Sequence, residues 1–186
     1  LNDSSPQFYN CEISNNSAIP FSTSNSYTQS AGGGVGIFKL TSSSSSSLEN
    51  ITFESCNFVN NKIPASNNGA FGAAIIAFAA YDQVGSLTLV DCKFYSNQIT
   101  SGSGYQAVIA LHYQGGYSSN NGELYVTGCE FKLNNGYDAN LAYESLINQY
   151  HPYGYTGSLQ DSLFCGNSTN DIQGMSDKGG NQFDIE

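Results

Sequence analysis

The sequence predicts an all-β fold, a right-handed parallel β-helix of about five coils. It forms a single domain over residues 1–186, or a segment of a longer or end-to-end stacked solenoid. Three observations lead there: a nine-residue block that recurs along the chain, a second apolar patch between its copies, and little helical periodicity.

Four copies of the block superpose without gaps: FYNCEISNN from Phe8, FESCNFVNN from Phe53, LVDCKFYSN from Leu89 and VTGCEFKLN from Val126. An apolar residue stands three positions before each Cys (Phe8, Phe53, Leu89, Val126), another two after it (Ile13, Phe58, Phe94, Phe131), and an Asn five after it (Asn16, Asn61, Asn97, Asn134). A fifth copy, LQDSLFCGN from Leu159, fits with Ser162 in the Cys position, Phe164 in the aromatic one and Asn167 in the Asn one. The Cys positions are spaced 45, 36, 37 and 33 residues apart (11, 56, 92, 129, 162).

The second patch reads GGGVGIFKL from Gly32, GAAIIAFAA from Gly72, YQAVIALHY from Tyr105 and YESLINQY from Tyr143, with Gly-, Ser- and Asn-rich turns between. Helical spacing is confined to one weak stretch near Tyr137–Tyr150. Units of this length suit a propeller blade or a β-helix coil. Single identity-bearing positions favour the coil, in which like side chains stack about 4.8 Å apart from turn to turn. The phenylalanines are then expected to form an interior ladder, and the asparagines an inward amide ladder whose donors and acceptors pair between coils.

Cys11, Cys56, Cys92 and Cys129 share one inward position. Parallel Cβ vectors on stacked strands hold the Cβ atoms too far apart for a relaxed disulfide, so a column of buried thiols acting as small hydrophobes is expected. Ser162 is a near-isostere in the same position. Cys165 lies outside the series, is expected to point outward, and is the candidate for an intermolecular disulfide.

The elements FVNN, FYSN and FKLN, with strands such as GAFGAAIIA, resemble the right-handed β-helix repeat proteins of the pectin-lyase-like superfamily, particularly the polymorphic outer-membrane-protein type. The tail SLFCGNSTNDIQGMSDKGGNQF (Ser162–Phe183) resembles the last coil of many secreted β-helix repeat proteins. The resemblance spans roughly residues 7 to 183. Departures are Ile13 in an aromatic position and a degraded Gly-Gly-Ala-Ile element. It implies the fold and an exported location, and seldom a single activity.

Composition narrows the function. The five basic residues are all lysines (Lys39, Lys62, Lys93, Lys132, Lys178) against 15 acidic ones, giving a formal charge of -10. Such a balance argues against nucleic acid and anionic membrane, which recruit clustered cations, and no apolar run is long enough to insert into a bilayer as a helix. With neither an initiator Met nor a signal-peptide core at Leu1, the chain is expected to begin at a mature or excised terminus. Sequons at Asn2, Asn15, Asn50 and Asn167, with the run Ser42–Ser47, suit an extracellular or cell-surface glycoprotein. Glycans are expected at Asn2, Asn15 and Asn50. Asn167 is assigned to the inward ladder, so its sequon is expected to stay empty.

Catalysis is not expected. Lyases resembling this fold use an Arg base, and the chain has no Arg; the hydrolase set of clustered Asp, His and Arg-Ile-Lys does not occur either. Asp91 and Asp161 share a position two coils apart, roughly 10 Å, and read as turn carboxylates. Glu130 and Lys93 read as a surface pair on adjacent coils. His112 and His151 lack metal-ligand spacing. Asp171, Asp177 and Asp184 lack the calcium β-roll repeat. Hence no cofactor and no metal are assigned.

Two non-enzymatic functions remain. A structural or filament-forming surface protein, associating end to end with itself, is favoured because no capping helix precedes Phe8 and an open strand edge invites pairing. The alternative is a carbohydrate-binding adhesin module, for which Tyr105, Tyr113, Tyr117, Tyr137, Tyr150, Tyr153 and Tyr155 offer stacking surfaces.

Overall fold

The computed structural model describes residues 5–18, 29–39, 50–64, 66–79, 86–100, 102–113, 123–136, 144–150, 157–167, 172–173 and 175–184. Among these residues every regular element is a strand, and every strand pairing is parallel. The strands form three six-stranded sheets and one three-stranded sheet.

The recurring block builds two of them. Its first half supplies Gln7–Tyr9, Ile51–Glu54, Ser86–Val90, Glu123–Thr127 and Ser158–Gln160, closed by Ser176–Asp177. Its second half supplies Glu12–Ser14, Asn57–Val59, Lys93–Tyr95, Glu130–Lys132 and Leu163–Cys165, closed by Gln182–Asp184. The second apolar patch builds the third six-stranded sheet from Gln29–Gly32, Ser66–Ala79, Gly102–Tyr113, Glu144–Tyr150 and Ile172–Gln173, with Val35–Lys39 also pairing with Ser66–Ala79. Lys62–Ile63, Gln98–Ile99 and Asn135–Gly136 make the small sheet.

Like residues face like residues across the tiers. Ile13 lies opposite Phe58, then come Phe94, Phe131, Phe164 and Phe183 in one file. Successive rings are 4.8, 4.7, 4.9 and 4.8 Å apart, with planes within 14° of parallel. Phe8 stacks on Phe53 at 4.7 Å, and Leu89, Val126 and Leu159 continue that file. Val35, Ile75, Ile109, Ile147 and Ile172 form another. Phe53, Phe58, Phe94, Phe131 and Phe164 are fully buried. Each such ring removes a large apolar area from water and gains ring–ring contact on top, which is why the aromatic position recurs.

The chain is therefore all-β with stacked parallel sheets, an arrangement compatible with a parallel β-helix. Pairing that is parallel throughout the described residues leaves no place for antiparallel blades. Two details differ from expectation. The block sheets have six tiers where about five coils were expected, because Phe183 adds another aromatic beneath Phe164. The stretch with weak helical spacing contains a strand, Glu144–Tyr150, since pairing with Gln106–His112 overrides its local pattern.

Candidate functional site

The polar chemistry of the described residues concentrates at two corners in each tier. The residue just before each Cys position is left-handed: φ is 53° at Asn10, 54° at Ser55, 51° at Asp91, 64° at Gly128 and 51° at Asp161. So is the residue just before each Asn position, at 58° for Asn15, 54° for Asn60, 53° for Ser96, 55° for Leu133 and 59° for Gly166. Asn, Asp and Gly populate this conformation at least cost, so the corner composition follows from the backbone. Gly128 has a second reason to be glycine: a Cβ there would run into Asp91 Oδ1 of the tier before.

A left-handed corner takes the following N–H out of the ladder between strands, and a side chain of the next tier receives it. At the Asn corner, Oδ1 of Asn61, Asn97, Asn134 and Asn167 accepts the N–H of Asn16, Asn61, Asn97 and Asn134 at 3.2, 3.1, 3.0 and 3.0 Å. The same oxygens accept the side-chain amides of those residues at 3.0–3.1 Å. Each Nδ2 also donates to a backbone carbonyl of the tier before: Asn61 to Ile13, Asn97 to Phe58, Asn134 to Phe94 and Asn167 to Phe131, at 2.9, 2.8, 2.7 and 3.0 Å. The amide ladder expected from the sequence is thus fully bonded.

The Cys corner repeats this geometry with a sulfur. Cys56 Sγ accepts the Cys11 N–H at 3.4 Å, Ser162 Oγ accepts that of Cys129 at 3.2 Å, and Asn181 Oδ1 accepts that of Ser162 at 2.9 Å. Each buried thiol has two carbonyl oxygens within reach of its one S–H, as Cys92 has those of Phe53 and Val90 at 3.3 Å. The same holds for Cys56 with Phe8 and Glu54 and for Cys129 with Leu89 and Thr127. These cysteines fill space as expected, and they also complete the corner's hydrogen bonds, which a purely hydrophobic role does not include. The interchange of Cys, Ser and Asn has a simple cause: each offers an acceptor at the same point.

Burial raises the Cys56 thiol above its ordinary value. Cys92 and Cys129 share a hydrogen bond that lowers the first and, together with burial, raises the second. On the outside, burial and the Glu130 carboxylate push Tyr95 up to about 12.

The other sequence-predicted residues do not converge. Asn15 is exposed at its corner, where its Oδ1 accepts Asn60 Nδ2 at 2.7 Å. Asn50 is exposed and accepts Ser86 Oγ at 2.5 Å. Asn2 lies outside the described residues, as do the serine run Ser42–Ser47, His151, Asp171, Tyr117, Tyr137, Tyr153 and Tyr155. His112, Tyr105, Tyr113 and Tyr150 fall on strands of the third six-stranded sheet. Cys165 is half-buried at the end of the strand Leu163–Cys165, opposite Lys132 and Asp184.

Asp91 and Asp161 occupy the same corner two tiers apart, with Gly128 between them. Glu130 lies opposite Lys93, but its carboxylate accepts the Tyr95 hydroxyl. The Asp177 carboxylate is taken by Gly179 N and Asn181 Nδ2, each at 2.7 Å. Among the described residues no three His, Cys, Asp or Glu are grouped to hold a metal ion, and no helix is long and apolar enough to cross a membrane.

The left-handed corners and the hydrogen-bonding role of sulfur were not anticipated from the sequence. The signal was present, since Asn, Asp, Ser and Gly fill nine of the ten corner positions named above.

Compared with known proteins, the chain matches no family model, no curated protein and no solved structure.

Proposed function

We propose that the chain is a right-handed parallel β-helix, resembling the pectin-lyase-like repeat proteins, that serves as a non-catalytic structural or filament-forming protein outside the cell or on its surface. The observation that carries this reading is the apolar surface of the first and last tiers among the described residues. Phe8 and Tyr9 in the first tier are 40% and 51% exposed, and Phe183 in the last is 42% exposed. Phe183 stacks on Phe164 at 4.8 Å. A second copy laid end to end covers these exposed rings and pairs strand to strand, as parallel edges do when they associate.

The interior supports the non-catalytic part. Its buried polar side chains, Asn61, Asn97, Asn134 and Ser162, are committed to bonds between tiers. The sequons at Asn15 and Asn50 and the acidic surface fit an exported glycoprotein.

Sedimentation velocity over a range of concentrations, with electron microscopy, tests the reading. End-to-end oligomers are expected, shortened by Phe8→Asp or Phe183→Asp. A monomer at every concentration would overturn the filament reading. The adhesin alternative, with glycans as partners, rests on Tyr105, Tyr113, Tyr117, Tyr137, Tyr150, Tyr153 and Tyr155, and glycan-array binding abolished by substituting them with alanine would favour it.

A further inference from the structure

We propose that the cysteine column binds thiophilic, two-coordinate d10 metal ions, Cu(I) or its redox-silent analogue Ag(I), with one ion between Cys11 and Cys56 and one between Cys92 and Cys129. The proposal rests on the register of the tiers and holds whether or not the chain forms filaments.

Spacing is the first argument. The four thiols occupy one position in four successive tiers, and the tier spacing, read from the adjacent aromatic file, is 4.7–4.8 Å between Phe58, Phe94 and Phe131. Two thiolates in line on one ion span about 4.6 Å, twice a metal–sulfur bond of about 2.3 Å. The separation that strains a disulfide in this column is therefore the one a linear bis-thiolate needs. Soft sulfur ligands select Cu(I) over harder ions. Among the described residues no third His, Cys, Asp or Glu is grouped with a pair, so the site described is two-coordinate.

The column itself picks out the pairs: with four thiols in successive tiers and two sulfurs to each ion, Cys11 with Cys56 and Cys92 with Cys129 is the division that leaves no sulfur unused. Binding releases two protons, each sulfur gives one lone pair to the ion, and nothing is oxidised or reduced. The resulting complex carries one negative charge, and the Cys11 N–H already donates to Cys56 Sγ at 3.4 Å. Such a donor stabilises a thiolate against the burial that otherwise holds Cys56 and Cys129 protonated. Half-buried Cys11, at the end of the column, is where an ion reaches it, whereas Cys56, Cys92 and Cys129 are closed to solvent.

The test is titration of the reduced protein with Ag(I) under anaerobic conditions, following thiolate-to-metal charge-transfer absorption. Two ions per chain are expected, with a raised urea midpoint. Cys165→Ser is expected to keep both ions, while Cys56→Ser and Cys129→Ser each keep one. The serine variants are expected to fold because Ser162 already occupies the same position. Sulfur-only, two-coordinate X-ray absorption from the loaded wild-type protein supports the site without any variant. The proposal is overturned if the native fold takes up no Ag(I), if Cys165→Ser removes the uptake, if Cys56→Ser and Cys129→Ser leave it at two, or if the ion sits among oxygen or nitrogen ligands.

Discussion

At the asparagine corner an amide oxygen takes two hydrogen bonds from the tier before while the amide nitrogen returns one to a carbonyl of that tier, so interior members are bonded on both sides. At the cysteine corner, five residues earlier in each copy, the backbone is the same and a sulfur accepts one N–H at 3.4 Å, with two carbonyl oxygens at 3.3–3.6 Å sharing its one S–H. Sulfur is a weak donor and a weak acceptor. Two solutions to one geometric problem therefore sit side by side. One is a strong polar ladder, and the other is a compact, weaker one that interchanges with serine at Ser162 and with asparagine at Asn181. The block is in effect two consecutive corner modules, each an apolar residue, a spacer, a left-handed residue and an acceptor.

If the asparagine ladder is the stronger of the two, Asn97→Ala should do the most damage. It strips the acceptor from Asn61 N–H and the donor from the Phe58 carbonyl, both inside the core. A loss of about 3–5 kcal/mol in urea unfolding is expected. A loss under about 1 kcal/mol would show that water completes these bonds instead.

The same substitution at the weaker corner, Cys92→Ala, is expected to cost about 1–3 kcal/mol, while Cys92→Ser, which retains an acceptor, should cost less than half as much. Equal losses for the two would mean that the sulfur matters only for packing.

Leu133 is the corner residue that departs from the rule, a 58% exposed leucine at φ 55° where the neighbouring tiers have Ser96 and Gly166. Leu133→Asn should stabilise the protein by about 1 kcal/mol, the order of the left-handed penalty for a branched residue.

The smallest effect is the response to alkali. The folded protein holds Cys56 and Cys129 protons that the unfolded chain releases around the ordinary thiol value of 9.0. Stability is thus complete below that value and falls as pH rises above it. Lowering of Cys92 acts in the opposite sense and below that value, where it adds stability as pH rises. Tyr95, pushed up to about 12, extends the fall. A urea midpoint that declines between about pH 9 and 11 is expected; a constant one would place these thiols in contact with water.

Much of this was legible in the sequence. The aromatic, Cys and Asn files were readable because each tier must put the same kind of side chain into the same interior space. The sixth tier was hidden: Asp177 stands opposite Leu159 where the other tiers carry an apolar residue, and Asn181 takes the Cys position, leaving Phe183 as the single retained mark. The two corner files were overlooked because left-handed geometry accepts Asn, Asp, Ser and Gly alike, so no one residue type recurs. The surface was least legible. Glu130 lies opposite Lys93 on the adjacent strand, and the Tyr95 hydroxyl, which the repeat does not mark, also reaches its carboxylate.

The most direct measurement is nuclear magnetic resonance of protein labelled at asparagine side chains. Vertical files require the Asn97 side-chain amide to exchange slowly with solvent and to show cross-relaxation with the amides of both Asn61 and Asn134, residues 36 and 37 positions away. Rapidly exchanging amides without those cross-peaks would mean that the copies of the repeat do not lie one on another, and the account would fall.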